Sequence, residues 1–192
     1  MAELNRCPWC VTDPILMHYH DTEWGIPEHR DDKLFEFILL DTFQAGLSWK
    51  TVLKKRANFK AAFDQCNPKK IASYSEAKIN ELLQNGSIIR NRQKINASIS
   101  NAKAFIQVQQ EFGSFDTFIW QFTDYQTIHQ KWAIPEAVPV RSAESDAMSK
   151  ELIRRGFKFV GSTICYAFMQ SIGMINDHLI TCHRYKELKK SK

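Results

Sequence analysis

The sequence predicts an all-α protein, on three observations. Glycine is scarce, with seven in 192 residues. Alternating β-branched runs are hard to find. Apolar residues instead recur at helical spacing behind residues that cap helices. With 44% hydrophobic content the chain can bury a sizeable core, as one unit over 1–192 made of two intimate helical lobes.

Asp31 or Asp32 can cap a helix through about Ala45, with Leu34, Phe35, Ile38 and Leu39 on its apolar stripe. Gly46 breaks it. Ser48 then caps a helix from Trp49 to about Phe63, apolar through Val52, Leu53, Phe59 and Phe63 and basic through Lys50, Lys54, Lys55 and Arg56. Asn67-Pro68 reads as a cap with proline at the first helical position. Ser75 opens a helix through Leu83, and Asn85-Gly86 is a tight turn. A long helix follows from about Asn91 to Phe112, stopped by Gly113, and then a short aromatic one from Phe115 to Phe122. Residues 123–143, with Pro135 and Pro139, read as an irregular linker. Ser145 is placed to cap a helix ending at Gly156, and another helix follows the turn Phe159-Val160-Gly161.

The net charge of +5 suits a polyanionic partner without demanding one. No apolar run reaches about 18 residues and no leader pattern opens the chain, which predicts a soluble cytoplasmic protein with no membrane partner. Five cysteines without a secretion signal argue for thiolate ligands or buried thiols over a disulfide framework.

Cys7 and His20 lie near one end of the chain, and His178 and Cys182 near the other, the latter pair spaced to share one face of a helical turn. Either pair alone recurs by chance. Together they make a tetrahedral sulfur–nitrogen set that would staple the termini around a structural metal. Cys10 in place of Cys7, or His18 in place of His20, stays open at this level. Cys7-Pro8-Trp9-Cys10 is also a C-x-x-C pair, but no βαβ pattern surrounds it to support a redox centre. The glycine turn at Phe159 to Gly161 precedes a helix N-terminus whose amides can hold phosphate, with Arg154, Arg155 and Lys158 beside it. Trp9, Tyr19, Trp24 and Trp49, with Asp41 on an otherwise apolar helix, are the makings of a pocket for a flat base.

Across nearly its whole length the chain resembles the DNA-3-methyladenine glycosylase I family. The resemblance is carried by Tyr19-His20-Asp21-Thr22-Glu23-Trp24-Gly25, Gln44-Ala45-Gly46-Leu47-Ser48-Trp49 with Thr51 to Arg56, Ile88-Ile89-Arg90, Arg155 to Gly161, and Asn176-Asp177-His178. It implies a helix–hairpin–helix glycosylase fold in which one structural zinc ion, held by Cys7, His20, His178 and Cys182, joins the terminal segments. It implies a base pocket of Trp9, Tyr19, Trp24 and Trp49 and a DNA-binding hairpin of Lys158, Phe159, Val160 and Gly161. Related glycosylases place a catalytic aspartate shortly after the hairpin helix. The nearest equivalent here is Asn176, with Asp177 adjacent, and neither is assigned that role. No lysine is placed for lyase chemistry.

The implied function is a monomeric, monofunctional glycosylase acting on double-stranded DNA that contains 3-methyladenine. It would extrude the base at a cost of a few kcal/mol, wedge Leu47 into the gap and leave an abasic site. Asp41 takes the catalytic position, accepting hydrogen bonds from the exocyclic amine and supplying a fixed negative charge that prefers the cationic base. The family commonly carries glutamate there, so Asp41 reaches about one methylene less. The rival is a zinc-stabilised DNA-binding module without activity.

Overall fold

The computed structural model describes residues 4–190. Ten α-helices are found among the described residues. The first, α1 (Pro14–Thr22), is capped by Asp13, whose carboxylate accepts from the Ile15 amide at 3.0 Å. Central to the molecule is α2 (Asp31–Gln44), buried without interruption from Leu34 to Phe43. It packs against α3 (Trp49–Ala62), α6 (Arg92–Phe112), α7 (Phe115–Trp120) and α9 (Ser162–Ser171). The short α4 (Pro68–Ile71) and α5 (Glu76–Gln84) complete the α6 side. The expected caps Ser48, Asn67, Ser75 and Asn91 all accept hydrogen bonds from their first-turn amides. Phe35, Phe43, Phe59, Phe63, Phe105 and Phe115 are fully buried and form the aromatic heart of the core.

Two cap assignments are corrected. Asp31 does not cap its own helix, whose N-cap is Arg30. Its carboxylate instead accepts from the Phe115 and Asp116 amides, each at 2.9 Å, and so satisfies the start of α7 across space. The helix α8 (Ala143–Arg154) is capped by Ser142, with Ser145 at its third position completing a reciprocal capping box. The linker holds a two-residue strand, β1 (Ile128–His129), paired in parallel with β2 (Ile175–Asn176). A terminal helix, α10 (His183–Lys190), follows.

His178 and Cys182 are not on a helix, because the chain from Asp177 to Cys182 is irregular. The termini still converge. The His183 amide donates to Asn5 O at 2.9 Å, and Asn5 Nδ2 donates to Thr181 O at 2.8 Å. Gly173, with φ +76°, lets the N-terminal segment lie against the end of α9, since a Cβ there would stand 2.4 Å from the Ile26 carbonyl carbon. Among the described residues no helix is long and apolar enough to cross a membrane.

Candidate functional site

Cys7, His20, His178 and Cys182 meet in one buried cluster whose ligand atoms all lie within 4.8 Å of one another. His18 is exposed, and Cys10 turns away to donate its thiol to Cys7 O at 3.1 Å, so the two open alternatives close in favour of Cys7 and His20. His20 Nε2 and His178 Nδ1 stand 3.1 Å apart, and Cys182 Sγ lies 3.4 and 3.5 Å from them. Cys7 Sγ lies 3.8 Å from His178 Nδ1. Metal–sulfur bonds of about 2.3 Å and metal–nitrogen bonds of about 2.0 Å give tetrahedral edges of about 3.3–3.8 Å. The donor set therefore fits one tetrahedral ion.

The outer nitrogens are fixed as well. His20 Nδ1 is bonded to Asp21 at 2.8 Å, and Arg6 forks onto the same carboxylate. His178 Nε2 donates to Trp24 O at 3.1 Å. Both inward nitrogens thus offer lone pairs. The contact from Cys7, followed by those from His178 and His20, lowers the Cys182 thiol and favours its thiolate.

The tryptophans and Tyr19 surround a cavity of about 360 Å³. Trp9 meets Trp24 edge-on at 5.0 Å between ring centroids, and Tyr19 meets Trp49 at 5.3 Å. Tyr19 O–H donates to Ser171 Oγ at 3.0 Å. Cys7 lines the same cavity, and His178 packs edge-on to Trp24 at 4.5 Å, so the Cys/His cluster and the aromatic wall are one piece. Trp49 Nε1 is buried with no partner among the described residues.

Asp41 departs from expectation. It does not line this cavity but faces a void of about 10 Å³ beneath the hairpin, with Thr42, Phe159 and Val160. Both carboxyl oxygens are buried without a partner among the described residues, and burial raises the group well above the ordinary aspartate value. An unpaired buried carboxyl favours its neutral form. Burial without a partner therefore works against a fixed negative charge at Asp41.

The acid that does line the cavity is Asp177, left unassigned by the sequence although it stands in the Asn176-Asp177-His178 motif. It accepts from Tyr166 O–H and Gln170 Nε2, each at 2.7 Å, and from Trp132 Nε1 at 2.8 Å. Through Trp132 it ties down the linker, whose Pro135 and Val138 complete the cavity wall. Asn176 is taken up structurally, accepting from the His178 amide.

In the turn between α8 and α9, Lys158 and Gly161 are exposed, and Phe159 sits at φ +57°, a left-handed conformation uncommon for a bulky side chain. Val160 turns inward instead of meeting solvent, and its carbonyl accepts from Ser149 Oγ at 2.7 Å. Arg154 and Arg155 are paired with Glu151, and Arg155 also with Glu111, which leaves Lys158 as the hairpin's cation. Gly161 caps α9 without a side-chain bond, so no capping side chain takes up the helix's first amides. Leu47, beyond the left-handed Gly46, is 42% exposed.

A family model for methyladenine glycosylases matches residues 9–185. The chain is 47% identical over 182 residues to DNA-3-methyladenine glycosylase 1 of Escherichia coli, covering 95% of this chain and 97% of that protein. A crystal structure of a 3-methyladenine DNA glycosylase I superposes with a TM-score of 0.91 at 50% identity, covering 93% of this chain and 98% of the other. A Staphylococcus aureus 3-methyladenine DNA glycosylase I, whose structure describes recognition of 3-methyladenine, matches with a TM-score of 0.90 at 29% identity, covering 95% and 97%.

Proposed function

The chain belongs to the methyladenine glycosylase family, and from that premise we infer that it excises 3-methyladenine from alkylated DNA. The carrying observation is the aromatic cavity of about 360 Å³, within the range of small-ligand pockets and partly built from the helix that the hairpin leads into.

A base inside a duplex is out of reach, so the nucleotide is swung out of the stack. Lys158 and the uncapped amides at the start of α9 hold the phosphate backbone without reading sequence. Leu47 fills the gap left in the stack. The extruded purine packs among Trp9, Tyr19, Trp24 and Trp49, where stacking contributes about 1–3 kcal/mol per base.

Methylation at N3 gives the purine a positive charge, so it is already a good leaving group. As the glycosidic bond breaks, its electron pair passes to the base, which departs neutral. The positive charge moves to the sugar, and water then adds there and loses a proton. A pocket that favours the base as it becomes neutral stabilises the transition state more than the ground state. Protonated Asp41 suits that task. Adenine presents an N6–H donor beside the N7 acceptor, and a carboxylic acid presents a carbonyl beside an O–H. Its two oxygens have no partner among the described residues, which supports this role, but they face the small void beneath the 158–161 turn, so the role requires the wall between that void and the aromatic cavity to open when the base enters.

We assign the metal cluster to one zinc ion, supported by the tetrahedral donor spacing. When bound, it supplies folding energy, since four protein ligands leave no open position for water. Incubation with methylated duplex DNA should release free 3-methyladenine and leave alkali-labile abasic sites. Tight DNA binding with no released base would make the chain a binding module instead.

A further inference from the structure

Two buried polar side chains on α6 serve neither the cavity nor the metal. Lys94 is 6% exposed, and its ammonium donates to Phe43 O at 2.8 Å and Ala45 O at 2.5 Å. These carbonyls end α2 immediately before Gly46 and Leu47. Asn101 is 1% exposed and pairs with the Lys158 backbone in both directions. It accepts from the Lys158 amide at 2.7 Å and donates to the Lys158 carbonyl at 3.1 Å, just before the left-handed Phe159. It also donates to Thr42 Oγ1 at 3.1 Å. Seven positions apart, about two turns, the two side chains share one face of the helix.

We propose that α6 is a beam fixing the Leu47 corner relative to the 158–161 hairpin, with Lys94 and Asn101 as positioning residues for DNA engagement, an inference that rests on the glycosylase reading above. Extrusion needs the wedge to enter the stack where the hairpin holds the backbone, so their separation matters more than either position alone. An ammonium capping the end of α2 sets the exit direction of the chain into Gly46. Asn101 gives Lys158 the paired contacts that a neighbouring strand would, and these hold a turn whose φ is otherwise unfavourable. Neither residue lines the aromatic cavity, so base binding and DNA binding should separate when they are changed.

The test uses the full chain with Lys94→Met, which keeps the stem, and Asn101→Asp, which can accept from the Lys158 amide but not donate to its carbonyl. Two probes are titrated: free 3-methyladenine, followed by tryptophan fluorescence, and a duplex carrying a tetrahydrofuran abasic analogue. Each variant should bind the abasic duplex roughly 10- to 100-fold more weakly while free-base affinity stays within about 3-fold, the size of effect expected when contacts shift by about 1 Å. Lys94→Arg, which keeps a donor for the same carbonyls, should largely restore duplex binding. Unchanged duplex affinity, or parallel loss of both affinities, would overturn the beam. If the unaltered protein does not prefer the abasic duplex to an undamaged one, the glycosylase reading falls with it. Preference retained in the unaltered protein and in both variants removes the beam alone.

Discussion

Asp41 is buried on α2, but away from the aromatic cavity and with no partner for its charge among the described residues. Its position on α2 was legible as a lone acid on an apolar helix, but a sequence cannot show that no cation comes near it. With no hydrogen-bond partner for either oxygen among the described residues, burial favours the neutral form. Asp41→Asn, which keeps an acceptor and a donor on the same edge, should hold free-base affinity within about 3-fold, whereas Asp41→Ala should lose about tenfold or more. A large loss in the asparagine variant would restore the charged mechanism. The same shift predicts a pH effect on stability. Because the folded-state value is raised above the unfolded one, the native advantage is full below the unfolded value and declines as pH rises through the folded one. In urea titrations at pH 5 and pH 8 the wild-type protein should lose stability relative to Asp41→Asn as pH rises, and a gap that does not move would place the carboxyl in a solvated setting. Arg154 and Arg155 teach the same lesson with opposite sign, since Glu151 and Glu111 take up the charge that the sequence offered to DNA.

At the scale of elements, local chemistry was a good guide wherever a helix could be read from its own first turn. Ser48, Asn67, Ser75 and Asn91 satisfy amides two or three residues away, so nothing distant need be known. Asp13 before Pro14 carried the same signal for α1, although no helix was expected there. Asp31 failed as a cap because the amides it satisfies are more than eighty positions along the chain, at Phe115 and Asp116. The linker of 123–143 holds only the two-residue β1 and a single 3-10 turn at Pro135–Ala137 before α8 begins at Ala143, and its role as a cavity wall was hidden. That role depends on Trp132 reaching Asp177. Trp132→Phe removes a hydrogen bond to a charged group, typically about 1.5–3 kcal/mol. It should speed amide exchange across residues 130–138 and weaken base binding by about tenfold. Unaltered exchange would show that the linker is held by other means.

For the whole molecule, the Cys/His cluster and the aromatic cavity share Cys7 and the Trp24–His178 contact, so closure of the termini and the shape of the cavity are linked. Cys182→Ser should lower zinc content and melting temperature together, and chelation of the unaltered protein should reproduce both effects along with weaker free-base binding. A variant with full zinc content and unchanged melting would exclude Cys182 as a ligand. The ligand types and the placement of the two pairs at opposite ends of the chain were in the sequence, because sulfur and imidazole chemistry belongs to the residues themselves. The helical setting assumed for His178 and Cys182 was not borne out, since convergence there comes from the packing of the termini and not from local periodicity.

The sequence by itself determined the helical class and most helix starts, and it offered the Cys/His pairs and the aromatic residues as candidates, because each depends on residue type and short-range spacing. Only the tertiary structure decided which carboxyl lines the cavity, which arginines are already paired, what encloses the cavity and that α6 contacts both the end of α2 and the turn at Lys158. Those depend on the distances and desolvation between segments far apart in the chain, and no local pattern encodes either.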